Sequence, residues 1–122
     1  MADTKQYITQ QQEHGSIIIS EDVLITIVSQ AVSEVEGVVG MSVKPGADIV
    51  ELLGKKNWGK GVRIAFDQDN NITIDCNIVV AYGQSVVSVA TAAQNAISVA
   101  LQSMAGVNAT AVNVNVCGIV RQ

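Results

Sequence analysis

The chain has 122 residues, 48% of them hydrophobic, which suits one globular domain with its own core and argues against a second. A net charge of -4 speaks against general nucleic-acid binding and gives no basis for adsorption to anionic lipid. Aromatic residues make up only 3%, so valine, isoleucine, leucine and alanine must build the interior.

Residues 1–13, MADTKQYITQQQE, are polar and glutamine-rich and read as a mobile tail, with Tyr7 and Ile8 the only side chains suited to dock on the domain. His14, the single histidine, has no companion ligand or nucleophile nearby and reads as an ordinary surface residue. The organising stretch runs from Gly15 to Met41. Ile17, Ile18 and Ile19 predict a short strand, and Ser20 stands where its hydroxyl can cap a following helix. Glu21 and Asp22 put negative charge at the positive end of that helix's dipole. Val23, Leu24, Ile27, Val28, Ala31, Val32 and Val35 recur at three and four and form its apolar stripe. Gly37 is placed to end the helix in a left-handed turn. Glu34 and Glu36 lie at the wrong end of the dipole, so Lys44 or the Lys55 loop is expected to neutralise them.

Val38–Val43 reads as a strand and Pro45–Gly54 as a short helix or turn. KKNWGKG, residues 55–61, changes the character of the chain. Lys44, Lys55, Lys56, Lys60 and Arg63 are five of the seven basic residues, and Trp58, the only tryptophan, sits among them. One reading is an exposed loop that offers an aromatic ring and positive charge to an acidic partner, a lipid headgroup or single-stranded nucleic acid. The plainer reading is a connector with solvated lysines and Trp58 packed over the sheet edge.

Val62–Phe66 and Ile72–Ala81 flank the turn-rich DQDNN and predict a hairpin. Ile72, Ile74, Cys76, Ile78 and Val80 share an apolar face; Thr73, Asp75 and Asn77 share a wet one. Asp67, Asp69 and Asp75 lack the glycine and distal glutamate of a calcium loop, so no metal is expected. Cys76 and Cys117 have no CxxC spacing and read as reduced thiols of a cytosolic protein. No stretch reaches 18 uninterrupted apolar residues, and the N-terminus has no secretion pattern, so any membrane link is expected to pass through a partner.

Ser85 predicts the cap of a second helix from Val86 to about Met104. Val86, Ala90, Ala93, Ile97, Ala100, Leu101 and Met104 are its expected apolar stripe, and Gly106 its end. The opposite stripe, Ser88, Thr91, Asn95, Ser98 and Gln102, is polar but uncharged. From Cys76 to Val120 there is no Asp, Glu, Lys or Arg at all. Such a neutral face suits contact with another protein or a second copy of the chain; a Ser/Ala-rich solvent face of no special use is the alternative. Val112, Val114 and Val116 alternate with Asn113 and Asn115 in a last strand, which places Cys117 on the asparagine face. Together these elements predict an α+β two-layer sandwich: a mixed sheet with two main helices on one face. A right-handed crossover through the second helix makes the Ile72 strand and the last strand parallel.

The motifs GSIIISEDVLITIV (15–28), AVSEVEGVVGM (31–41), KGVRI (60–64), VVAYG (79–83) and VNVNVCGIV (112–120) resemble the alkaline shock or general stress proteins of Gram-positive bacteria, also called envelope stress response proteins. They cover nearly all of the domain in the family's order and look most like its short, YloU-like branch. The resemblance implies a non-enzymatic cytoplasmic protein without cofactor. It also implies a link to envelope homeostasis and stress, with some members held at the membrane by an anchoring partner. On this reading the chain is an interaction module that binds a membrane-associated protein or itself, through Ser88, Asn95 and Gln102 or through Lys55, Lys56, Trp58 and Lys60. A small domain that binds RNA through the 55–61 loop is the alternative. No histidine near a thiol or hydroxyl and no tight carboxylate pair supports an enzymatic reading.

Overall fold

In a computed structural model the chain is described over residues 7–42, 55–67 and 71–121. The elements are β1 (Tyr7–Gln12), β2 (Gly15–Ser20), α1 (Glu21–Ser33), β3 (Val38–Met41), a 3-10 helix (Lys55–Gly61), β4 (Val62–Phe66), β5 (Ile72–Ala81), α2 (Val86–Ala105) and β6 (Ala109–Val120). This is the expected α+β fold with a mixed sheet. The stretch 45–54, expected as a short helix or turn, lies outside the described residues, as do Val43, Lys44 and Asp69.

β5 is the strand on which the sheet is built. Along one side it pairs antiparallel with β4 through Ile72–Cys76 and with β3 through Ile78–Val80. Along the other it pairs parallel with β6 over its whole length. The parallel partner is reached through α2, because parallel neighbours need a crossover element between them. Ile72, Ile74, Cys76, Ile78 and Val80 are all buried. Each large aliphatic among them stabilises the fold by about 1.5–3 kcal/mol relative to exposure. The opposite face is drier than expected. Val79 is fully buried and Asn77 nearly so, the latter accepting at Oδ1 a 2.9 Å hydrogen bond from Nδ2 of Asn115, its register partner on β6. A buried amide held this way costs little, whereas one left unpaired costs about 1–3 kcal/mol.

The two helices pack on each other and on the sheet. From α1, Leu24, Ile27, Val28, Ala31 and Val32 are buried, but Val23 is exposed, being one position off the face that meets the core. Ser20 is the N-cap residue, yet its side chain makes no capping bond. The helix ends at Ser33, earlier than expected, and Gly37 (φ +99°) serves instead in the turn that leads into β3. α2 follows expectation more closely. Ser85 caps it by accepting from the Ser88 amide, and Gly106 ends it in the left-handed conformation. Its buried line is Val89, Ala93, Ile97 and Leu101; Met104 is 72% exposed rather than buried.

The N-terminal tail is the largest departure. Residues 7–12 form β1, paired antiparallel with β2 in full register from Tyr7–Ser20 to Gln12–Gly15. Ile8 enters the core, and Gln10 Nε2 donates to the Ala105 and Gly106 carbonyls at the end of α2. Pairing with a β-branched neighbour and one buried isoleucine outweigh the polar composition of the segment.

Candidate interaction groove

A groove of about 560 Å³ lies between α1 and α2. From α1 it is lined chiefly by Ile27, Gln30, Ala31 and Glu34; from α2 by Ala96, Val99, Ala100 and Met104. Three of these are alanines. Where helices meet through alanine, the side chains cannot fill the space beyond the contact line, and a trough remains on the outer side. Val99 and Met104 stand along it at 64% and 72% exposure, an apolar surface open to water. The polar edge belongs to α1, where Gln30 Nε2 donates to the Glu34 carboxylate at 3.3 Å. Glu21 and Asp22 begin the same helix, and neither helix contains a basic residue. The floor is therefore apolar, and among the described residues the one charged side chain lining the groove is Glu34.

The residues singled out from sequence are divided by the structure. Ser88, Asn95 and Gln102 are all exposed on the outer face of α2, so they share a surface. Lys60 is exposed as well. Trp58 is not: at 5% exposure it belongs to the core cluster, which corrects the reading of its ring as an exposed docking group. The cause is close packing of the 3-10 helix. A Cβ on Gly59 would lie 2.9 Å from Ile25 of α1, and one on Gly61 would meet the Ser42 carbonyl at 3.0 Å, so these glycines let the loop press against its neighbours. Lys55 and Lys56 open this 3-10 helix, but their side chains, like Lys44, fall outside the description, and so does the expected neutralisation of Glu34 and Glu36. Val99 and Met104 were missed as groove residues. The signal was a second line of small apolar positions on α2, Ala92, Ala96 and Val99, beside the main stripe.

Neither cysteine is in a disulfide; Cys76 is buried and Cys117 half-buried. Burial, then the negative charge of Asp75, then Cys117 push the Cys76 thiol up to about 12, so it stays a neutral core group at ordinary pH. No described helix is long and apolar enough to cross a membrane.

These features define a small α+β domain, two helices over a mixed sheet, with an apolar trough between the helices edged by Glu34. The chain belongs to the alkaline shock protein 23 family, of cell envelope-related function, which it matches over residues 9–121. It is similar to YqhY of Bacillus subtilis (strain 168), 36% identical over 105 residues that span 86% of this chain and 77% of that protein. It is similar to Spy1535 of Streptococcus pyogenes serotype M6, 36% identical over 108 residues, 88% of this chain and 81% of the relative. YloU of Bacillus subtilis (strain 168) is 30% identical over 111 residues, 88% and 90% of the two chains. No solved structure matches.

Proposed function

We propose that this protein is a non-enzymatic interaction module of the envelope stress response, which works in the cytoplasm by docking a membrane-associated protein partner in the groove between α1 and α2. The observation that carries the reading is the groove itself. Val99 and Met104, two of several large apolar side chains left exposed, stand together along one apolar trough rather than singly on the surface. A trough lined by two helices can take the apolar face of a third, and Glu34 at its edge favours an amphipathic helix with a cationic residue placed to meet it. Membership of a family of cell envelope-related function supports the cellular setting. Burial of Trp58 removes the stacking platform that single-stranded nucleic acid would need, which weighs against the RNA-binding alternative.

The test is affinity capture with the tagged full chain from detergent-solubilised envelope fractions, followed by direct binding to the partner identified. Val99→Asp and Met104→Asp change exposed side chains, so both variants should melt like the wild type while losing the partner. A Ser88→Asp control on the outer face should keep it. Equal recovery by wild type and both groove variants would remove the groove from the account.

A further inference from the structure

β6 is an edge strand. One side of it is paired with β5, and among the described residues no strand pairs with the other. An open edge presents backbone donors and acceptors to any extended segment that reaches it, and edges are ordinarily guarded by charge or proline. The sequence of β6, ATAVNVNVCGIV, has neither. Its ladder with β5 is regular from Ala111 to Val116 and shifts register on either side, so the part fit for further pairing is short and well bounded.

We propose that this segment pairs antiparallel with the same segment of a second copy, about a twofold axis at Val114. Opposed residues in an antiparallel ladder point to the same face, so self-pairing without a slip must match like faces. An axis at Val114 sets Val112 against Val116 and Asn113 against Asn115 of the second copy, valine to valine and amide to amide. Moving the axis to Asn113 sets Ala111 against Asn115 and Val116 against Thr110, which breaks the match.

The same operation explains the uncharged flank of α2. Gln94 Nε2 donates to the Val112 carbonyl at 2.9 Å, which identifies the side of the helix that follows β6. Val87, Thr91 and Ser98 lie on that side at helical spacing, all exposed and all neutral, with Val87 at 76%. A twofold axis perpendicular to the sheet leaves both helical layers on one face and brings this flank beside its twin. Although each chain carries a net charge of -4, none of it lies between Cys76 and Val120, and Asp75 is set back one strand from the edge beside Asn113, so the two surfaces meet with little repulsion. The Gln94 bond takes one of the two lone pairs of the Val112 carbonyl and leaves the other for pairing.

The experiment is sedimentation velocity of the full-length chain over a wide concentration range. The wild type should pass from one chain to two as concentration rises. Asn113→Lys replaces an exposed side chain and should leave the melting temperature unchanged. It places two lysines diagonally across the axis, which should weaken dimerisation by about tenfold or more. Because Cys76 is the register partner of Val114 on β5, the test uses a Cys76→Ala, Cys117→Ser background, in which oxidised Val114→Cys should give a covalent dimer and Thr110→Cys should not, since only residue 114 opposes itself. A wild type that stays monomeric throughout, or a dimer indifferent to Asn113→Lys, overturns the proposal. So does a dimer lost in Val99→Asp, because the second copy would then occupy the groove. The edge inference is independent of the groove reading: partner capture by a strictly monomeric chain would remove the first and leave the second.

Discussion

Gly37 offers the sharpest test of how the helices and sheet are fitted together. It holds φ at +99°, and a Cβ there would lie 2.7 Å from Val89 Cγ2 on α2. Its carbonyl accepts the Ala81 amide at 2.9 Å, so the turn cannot swing away without losing a bond that ties it to the end of β5. Gly37→Ala therefore carries two costs: about 1–2 kcal/mol for an alanine in the left-handed region and about 1–3 kcal/mol for overpacking. At an unfolding entropy of about 2.1 cal/mol/K per residue, a chain of 122 residues loses about 4 °C per kcal/mol, which gives a fall in Tm of about 8–20 °C. Gly83 supplies the control. Its φ is +102°, nearly the same, and a Cβ there meets nothing within 4 Å. Gly83→Ala should pay only the backbone cost, and the difference between the two variants isolates the collision with Val89. Adding Val89→Ala to Gly37→Ala should recover part of that difference as a coupling of about 1–2 kcal/mol. Thermal and urea unfolding followed by circular dichroism reads all five proteins, Val89→Ala alone included, since the buried Val89 has its own truncation cost to subtract. Equal destabilisation by Gly37→Ala and Gly83→Ala would refute the packing argument.

The helix caps should differ in the same assay: Ser85→Ala should cost about 0.5–2 kcal/mol, and Ser20→Ala, whose hydroxyl caps nothing, clearly less. Trp58→Ala should behave as a core truncation and cost about 3–5 kcal/mol, with the wild-type fluorescence blue-shifted and poorly quenched by iodide; a fully stable Trp58→Ala protein would contradict its burial. Cys76 predicts a loss of stability in alkali. Its thiol is raised to about 12 in the folded chain from the ordinary value of 9.0 that it regains on unfolding. The contribution is whole below the unfolded value and fades as pH climbs towards the folded one, because only the unfolded state then sheds the proton. The slope is up to about 1.4 kcal/mol per pH unit. Urea titrations between pH ~8.5 and ~11 should show that slope reduced in Cys76→Ala, and parallel profiles would contradict it.

Much of this fold could be read from residue patterns where local and tertiary preferences agree. The period-two run Ile72–Val80, the Ser85 cap, the Gly106 stop and the parallel placement of the last strand all fall where the pattern puts them. The pattern failed where a tertiary partner decided the outcome. YITQQQ looks like solvated tail until β2 is beside it, and only the folded neighbourhood shows that Ile8 has a place in the core. Val23 and Met104 satisfy helical spacing but sit just off the buried arc, which spacing alone resolves to about one residue in each turn. The groove was legible least of all. It belongs to neither helix alone: Ala31 lines it from α1, and Ala96 and Ala100 line it from α2.

The β1–β2 hairpin forms a sheet of its own and, among the described residues, is moored to the rest chiefly by Ile8, part of Ile19 and the Gln10 amide at the end of α2. With no backbone ladder joining it to the main sheet among the described residues, the hairpin can lift as a unit while β5 keeps its three partners, so its amides should exchange with solvent before those of the central strand. Residues 7–20 should then open and close on their own, with the main sheet and both helices left standing.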